Sequence, residues 1–246
     1  MTVLARREVA LHIYPPTVGL VAQAAVLVSL GATAGLGAAG WLTGLAFGAG
    51  TWILLSRALR QPDVHQWGPA DSITFARLIL TGGVAALVAD SVGGGGHRPI
   101  LIALAAASLI LDAGDGQVAR RTGTSSRFGA RFDMEADQVL AVVLSVYIGT
   151  TLGWWAAAIG LFRYAYVLAS WVWPWLSGPL LPRMSRKVVA ASQGAVLVVA
   201  STGLLPTSIA QICVAISIAT LIWSFGKDVR FLWPRRPTSV LGTVRT

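Results

Sequence analysis

The chain has 246 residues, of which 55% are apolar and 12% are charged, and its formal net charge is +9. The apolar residues form long uninterrupted runs, which exclude an ordinary soluble domain and are typical of an integral membrane protein. The positive charge does not call for nucleic acid as a partner, because basic cytoplasmic loops and contact with anionic lipid headgroups account for it.

The apolar runs predict eight membrane spans. In chain order they are 18–38, 39–56, 73–91, 99–111 continuing toward 119, 138–153, 154–175, 188–205 and 207–225. A polar linker at 57–71, interrupted by Pro62 and Pro69, separates the first two spans from the other six. We therefore expect an all-α integral membrane fold, with an N-terminal transmembrane helix pair (1–60), a six-helix core (61–228) and a basic cytoplasmic tail (229–246).

Basic residues predict the orientation of these spans, since short cytoplasmic loops are enriched in Lys and Arg. With eight spans, the main basic groups all fall on one side of the membrane. These groups are Arg6 and Arg7; Arg57 and Arg60; Arg120, Arg121, Arg127 and Arg131; Arg183, Arg186 and Lys187; and Lys227, Arg230, Arg235 and Arg236. Both termini are then cytoplasmic. The Ala and Gly content and the scarcity of Lys point to a bacterial protein, hence to the cytoplasmic (inner) membrane.

The window 112–137, DAGDGQVARRTGTSSRFGARFDMEAD, holds five of the ten acidic residues: Asp112, Asp115, Asp133, Glu135 and Asp137. Asp112 ends an apolar run, where an isolated carboxylate is costly. Asp112 and Asp115 are three residues apart, and Asp133 and Asp137 are four apart, so each pair shares one helix face. If the two helices face each other, four carboxylates meet, and hard divalent cations are their natural counter-charge. We expect Mg²⁺ or Mn²⁺, as a pair of ions bridged by shared carboxylates.

The residues between the two acidic pairs suit a phosphate-bearing ligand. Gly116 allows close approach to the helix backbone, and Arg120 lies about two turns after Asp112, where it can donate hydrogen bonds to a phosphate. Gly129 sits in the polar turn RTGTSSRFG and is expected to allow close approach in the same way. The alternative interpretation is a solvated loop in which the carboxylates pair with the neighbouring arginines of the window.

The spacing of the window favours the ligand-binding interpretation. The pattern D-x-x-D-G-x-x-A-R-x8-G-x3-D-x3-D is met at Asp112, Asp115, Gly116, Ala119, Arg120, Gly129, Asp133 and Asp137. It resembles the signature of the CDP-alcohol phosphotransferases, membrane enzymes that make phospholipids from a CDP-linked donor. Upstream, that family usually has P-N-x-x-T-x-x-R, and the segment PADSITFAR provides Pro69, Asp71, Thr74 and Arg77, with Asp71 in place of the Asn. The resemblance covers roughly 66–226 and implies the six-helix core.

The resemblance also implies roles for individual residues. Asp112, Asp115 and Asp133 would hold two metal ions, and Asp137 would contact the second ion and act as general base. Gly116, Ala119, Arg120 and Gly129, together with Thr74 and Asp71, would line the CDP site. An acceptor hydroxyl would attack the phosphorus that bears the lipid, and CMP would leave. The implied partners are CDP-diacylglycerol or a related CDP-alcohol, a polar alcohol acceptor, the lipid bilayer and, as is common in the family, a second copy of the chain.

Arg163 is predicted to lie near the middle of a span, where it needs an anion. In the phosphatidylglycerolphosphate branch of the family the corresponding helix often carries Arg-Glu, whereas Tyr164 follows here. Two roles stay open for Arg163: binding of the acceptor, or an ion pair with an active-site Asp that only serves packing. Arg183, Arg186 and Lys187 are further candidates for a phosphate on the acceptor, and together these residues favour a phosphorylated acceptor.

Two other functions are compatible with intramembrane carboxylates. UbiA-like prenyltransferases also hold a diphosphate with Asp-rich sites and Mg²⁺, but their two motifs are usually far apart in the sequence. A cation carrier would use the carboxylates to coordinate the transported ion, but carriers tend to show internal repeats, and this chain has one acidic window and no repeat.

Overall fold

The computed structural model describes residues 3–60, 67–122, 126–178 and 184–235, and these residues form helices joined by short turns. The helices are α1 Val3–Ala34, α2 Ala38–Ala58, α3 Pro69–Val92, α4 Arg98–Thr122, α5 Arg127–Leu152, α6 Ala158–Val172, α7 Met184–Thr202 and α8 Thr207–Leu232. Short 3-10 turns at Trp154–Ala157, Pro174–Ser177 and Trp233–Arg235 complete the described chain, which contains no strand. The predicted all-α membrane fold is confirmed.

Each predicted span corresponds to one helix, although several helices extend further than their apolar runs. In the described part of the chain, six helices are long and apolar enough to cross a membrane. Helix α1 continues back to Val3 through Pro15 and Pro16, and α5 begins at Arg127 although its span was predicted from 138. Gly129 therefore lies in the first turn of α5, and its predicted position in a polar turn is wrong. A helix continues beyond the hydrocarbon because its backbone groups bond within the helix and stay satisfied in either solvent.

Helix α3 is the central helix of the bundle. It packs against α1, α2, α4 and α5. The apolar stretch of α3 is 67% buried, whereas the other candidate spans are 22–39% buried. The small residues Gly82, Gly83 and Ala86 lie in its buried middle, and small residues let neighbouring helices approach closely. Three polar residues in the first turns of α3, Asp71, Thr74 and Arg77, are buried as well.

Helices α1 and α2, here called the N-terminal pair, pack against each other and against α3. Gly40, Gly44 and Gly48 lie one turn apart on the buried side of α2, and Leu27 of α1 lies where a side chain at position 44 would start. At the far end of the bundle, Asp90 of α3 accepts a hydrogen bond from the Gly37 N–H group at 2.9 Å. The N-terminal pair is thus fastened to the core at this end.

Helices α4 and α5 carry the acidic window. They have 25 and 26 residues, so at about 1.5 Å per residue each spans roughly 38 Å, more than the ~30 Å of a hydrocarbon core. The end of α4, the starts of α3 and α5, and the end of α2 come together at one end of the bundle, here called the site end. By the helical rise, Asp112 and Asp137 lie about 20 Å from the far end of their helices and about 15 Å from the site end.

Candidate active site

Three carboxylates from two helices meet at the site end. Asp112 comes from α4, and Asp133 and Asp137 come from the first turns of α5. One oxygen of each lies within 4.8 Å of the others. The three side chains, here called the carboxylate cluster, are 32%, 39% and 49% exposed, respectively. The cluster is therefore open on one side.

The guanidinium of Arg77, from α3, contacts all three carboxylates of the cluster. Its Nη1 donates to Asp133 Oδ1 at 2.6 Å, and its Nη2 lies 2.7 Å from Asp112 Oδ1 and also contacts Asp137 Oδ1. The Arg77 side chain is 2% exposed. A buried guanidinium needs such partners, because an unpaired charge at this depth is strongly unfavourable. Arg77 thus holds α3, α4 and α5 together through charge.

The salt-bridge alternative, in which the carboxylates pair with arginines of the window, stays a prediction, because the side chains of Arg120, Arg121 and Arg127 lie outside the described residues. The carboxylates do pair with an arginine, and this arginine comes from the interior of a span and not from the window itself. The signal was present in the sequence, since Arg77 is a charge within an apolar run and the reasoning applied to Asp112 and Arg163 applies to it equally.

Asp71, Thr74 and Arg77 follow one another at intervals of three along α3 and are all buried, at 3%, 3% and 2% exposure. The interval places them on one stripe of the helix. Asp71 Oδ2 accepts the Gly68 N–H group at 2.8 Å, one half of a capping box at the start of α3. A carboxylate here also complements the positive end of the helix dipole. Asp71, where the family usually has Asn, is thus built into the helix start.

Gly129 lies against Asp71. A β-carbon added at Gly129 would lie 2.6 Å from Asp71 Oδ1. The Gly129 N–H group donates to the hydroxyl of Ser126, which caps α5, at 2.8 Å. The predicted close approach to the Gly129 backbone is therefore present, and among the described residues it is made by Asp71 at the start of α3. Position 129 sets the distance between the Asp71 end of α3 and the Asp133 end of α5.

Arg163 of α6 pairs with Glu135 of α5 and reaches the Met134 carbonyl at 3.5 Å. The pair lies at the α5–α6 contact, and Glu135 is 54% exposed. The predicted partner, an active-site Asp, is wrong: Glu135 lies between Asp133 and Asp137 in sequence and therefore on the other side of α5. Arg163 thus pairs with an acidic residue of the neighbouring helix α5, whereas the residue that follows it in α6 is Tyr164.

Several predicted site residues lie outside the described part of the structure. Asp115, Gly116, Ala119 and Arg120 lie in the last turns of α4, where the structure describes the helix but not these side chains. The same holds for Arg186 and Lys187 at the start of α7, and Arg183 lies outside the described residues altogether.

Comparison with protein families agrees with this geometry. A family model described as CDP-alcohol phosphatidyltransferase matches residues 67–223, which run from just before α3 into α8. The chain belongs to this family. It is accordingly a transferase of substituted phosphate groups, and it uses a CDP-alcohol donor and an alcohol acceptor. The N-terminal pair precedes the matched region. Comparisons with curated proteins and with solved structures found no match.

Enzymes of this family generally depend on divalent metal ions, and the carboxylate cluster fits such an ion. Its oxygens lie within 4.8 Å of one another, and ligands on opposite sides of a small divalent cation are ~4–5 Å apart. Carboxylate oxygens are the ligands that Mg²⁺ and Mn²⁺ prefer. Arg77 contacts the Oδ1 atom of each of the three carboxylates.

Replacement of Arg77 by Met should destabilise the fold. It would leave three neighbouring carboxylates without their buried counter-charge, at a cost of roughly 3 kcal/mol, the low end for a broken buried pair because the carboxylates stay partly hydrated. We expect the melting temperature of the purified protein in detergent with EDTA to fall on the order of 5–10 °C. Arg163→Met removes the half-exposed pair and should cost less than about 1 kcal/mol. Equal losses in both variants would contradict the central role of Arg77.

Replacement of Gly129 by Ala should destabilise the protein although Ala is the better helix former. Ala gains about 1 kcal/mol of helix propensity, but its β-carbon would collide with Asp71, and overpacking of this kind costs about 1–3 kcal/mol. Gly226→Ala in α8 is the matched control, because no atom lies within 4 Å of its added carbon. Melting temperatures should fall for Gly129→Ala and hold or rise for Gly226→Ala. A rise in both would show that α3 and α5 are not in close contact here.

Proposed function

We propose that the protein transfers a phosphatidyl group from CDP-diacylglycerol to a polar, phosphorylated alcohol and releases CMP, as phosphatidylglycerolphosphate and phosphatidylinositolphosphate synthases do. The observation that carries the proposal is the meeting of Asp112, Asp133 and Asp137 around Arg77 within a chain of the CDP-alcohol phosphatidyltransferase family. The family match favours this reaction over a UbiA-like prenyltransferase and over a cation carrier. We further propose a place for the enzyme in the bacterial cytoplasmic membrane with both termini in the cytoplasm.

In the proposed reaction, Asp112, Asp115, Asp133 and Asp137 hold two Mg²⁺ or Mn²⁺ ions. When bound, the ions supply positive charge that neutralises the diphosphate of the donor. The backbone at Gly116, Ala119 and Gly129 gives the donor close access, and Arg120 donates to its phosphates. Thr74 and Asp71 complete the CDP side from α3. Arg77 fixes the relative positions of the carboxylates, so the reacting groups need no rearrangement before transfer.

Asp137 is the proposed general base. It is the most exposed member of the carboxylate cluster, at 49%, so an acceptor that enters from water can reach it. Its oxygen takes the proton of the acceptor hydroxyl as that oxygen bonds to the phosphorus, and the bond from the phosphorus to the CMP oxygen breaks. The site is proposed to open toward the cytoplasmic interface, so that the acyl chains can remain in lipid while CDP and the acceptor enter from water.

The acceptor is proposed to bind beside α6. Arg163 is 27% exposed and held at the α5–α6 contact by Glu135, one helix face away from Asp137. Arg183, Arg186 and Lys187 belong to the same end of the bundle by chain order, and a phosphate on the acceptor would complement these charges. One negative charge from Glu135 already balances Arg163 in part, so the remaining basic residues would supply most of the attraction.

The proposed reaction is tested by CMP release from CDP-diacylglycerol in liposomes with Mg²⁺ or Mn²⁺, across phosphorylated and free polyols. Asp137→Asn should reduce release at least about 100-fold, because it removes the base and a metal ligand. Asp90→Asn is the matched control, because it replaces a buried carboxylate at the far end of the bundle. The amide oxygen of the new side chain can still accept the hydrogen bond from the Gly37 N–H group. The rate of CMP release by Asp90→Asn should equal that of the unmodified protein. Absence of CMP release with every acceptor would contradict the proposed function.

The acceptor role of Arg163 makes a separate prediction. Loss of a charge-assisted hydrogen bond to the acceptor should raise its KM about tenfold in Arg163→Gln. The donor KM should not change, since the carboxylate cluster and Arg77 remain in place. Steady-state CMP release with each substrate varied in turn measures both constants. An acceptor KM equal to that of the unmodified protein would leave Arg163 with the packing role alone.

A further inference from the structure

A second apolar cluster lies at the site end, separate from the main core. Four aromatic residues, here called the aromatic cluster, form it: Trp67, Phe75, Phe128 and Phe132. Phe128 and Phe132 stack with ring centroids 5.7 Å apart, and Trp67 meets Phe75 edge to face at 5.7 Å. The cluster thus joins the entry to α3, α3 itself and the first turns of α5.

The N-terminal pair covers the aromatic cluster. Leu55 and Leu59, at the end of α2, are each 3% exposed and pack in the same cluster as Phe75, which is 7% exposed. Helix α1 reaches the cluster too, because a β-carbon added at Gly19 would overlap the Phe75 ring. Among the described residues, the buried members of the whole apolar cluster are Leu55, Leu59 and Phe75, so α2 and the residue that follows it supply two of the three.

The aromatic cluster is continuous with the candidate active site. Phe132 directly precedes Asp133, which pairs with Arg77, and Phe128 directly precedes Gly129, which lies against Asp71. The first two turns of α5 therefore have two sets of contacts. Phe128 and Phe132 pack in the apolar cluster with the N-terminal pair, and Gly129 and Asp133 contact the proposed donor side of the site. Any shift of Phe128 and Phe132 moves the backbone that carries Gly129 and Asp133.

We propose that the N-terminal pair positions the start of α5, and with it the CDP-binding side of the active site, by packing Leu55 and Leu59 of α2 against the aromatic cluster. This inference rests on the proposed function and assigns a role to helices that lie outside the family match. Leu55 and Leu59 are positioning residues, since they act through Phe75, Phe128 and Phe132. Among the described residues, none of α6 belongs to this apolar cluster, so we expect the acceptor side to be independent of Leu55 and Leu59.

The test compares two double variants of the full-length protein, each of which truncates two buried leucines of the N-terminal pair. Leu55→Ala/Leu59→Ala alters the contact at the site end. Leu27→Ala/Leu30→Ala alters the main core at residues that are 0% and 5% exposed; Leu27 packs at Gly44, about three turns from Leu55 along α2. CMP release gives the donor and acceptor KM, and calorimetric titration with CDP and Mn²⁺ gives the CDP affinity without turnover.

We expect the donor KM and the Kd for CDP to rise about tenfold in Leu55→Ala/Leu59→Ala with an unchanged acceptor KM, because displacement of a binding group by about 1 Å is costly. Leu27→Ala/Leu30→Ala should lower the melting temperature and leave both constants unchanged. Leu55→Met/Leu59→Met, which keeps the volume, should restore them. Equal donor constants in the two double variants, or an equal rise in donor and acceptor KM, would overturn the proposal.

Two further variants provide a test that creates no cavity. Gly19→Ala pushes on Phe75 from α1 and should raise the Kd for CDP, whereas Gly50→Ala in α2, with no atom within 4 Å of its added carbon, should not. Unchanged CDP affinity in Gly19→Ala would also overturn the proposal. Failure of the unmodified protein to release CMP contradicts the proposed function instead, so the two failures are distinguishable.

Discussion

One buried cation organises the active-site half of this transferase. The Arg77 guanidinium leaves α3 inside the bundle, and its two terminal nitrogens contact carboxylates from α4 and α5. Neither partner is stable alone at this depth: the arginine would be a buried charge without an anion, and the three carboxylates would repel one another. The relative positions of α3, α4 and α5 follow from this mutual requirement, and the candidate metal ligands are set in place by it.

Three groups of residues surround the Arg77 ion pairs: a stripe on α3, the Arg163–Glu135 pair and the N-terminal pair. The stripe of Asp71, Thr74 and Arg77 on α3 faces the catalytic helices, and Gly129 lets α5 come close to the Asp71 end of that stripe. The Arg163–Glu135 pair lies on the opposite side of α5, where the acceptor is proposed to bind. The N-terminal pair packs behind the donor side through the aromatic cluster.

Much of this organisation follows from the sequence, because its signals are local. Apolar run length predicted each of the eight α-helices in the described part of the chain, and the spacing of Asp133 and Asp137 placed them on one face of α5. What the sequence did not reveal depends on how helices rotate against one another. The pairing of Arg77 with the carboxylate cluster, and of Arg163 with Glu135 instead of an active-site Asp, are contacts between helices far apart in the chain. The helical position of Gly129 was missed since polar residues at a helix start resemble a loop.

Mn²⁺ binding to the carboxylate cluster is the most direct measurement. Electron paramagnetic resonance titration of the purified, EDTA-treated protein would be run beside Asp133→Asn and Asp90→Asn. We predict saturable Mn²⁺ binding by the unmodified protein and by Asp90→Asn, with a spectrum that changes when CDP is added. Asp133→Asn should lose Mn²⁺ binding. Equal Mn²⁺ binding in Asp133→Asn, or no binding by the unmodified protein, would contradict a catalytic metal site at Asp112, Asp133 and Asp137.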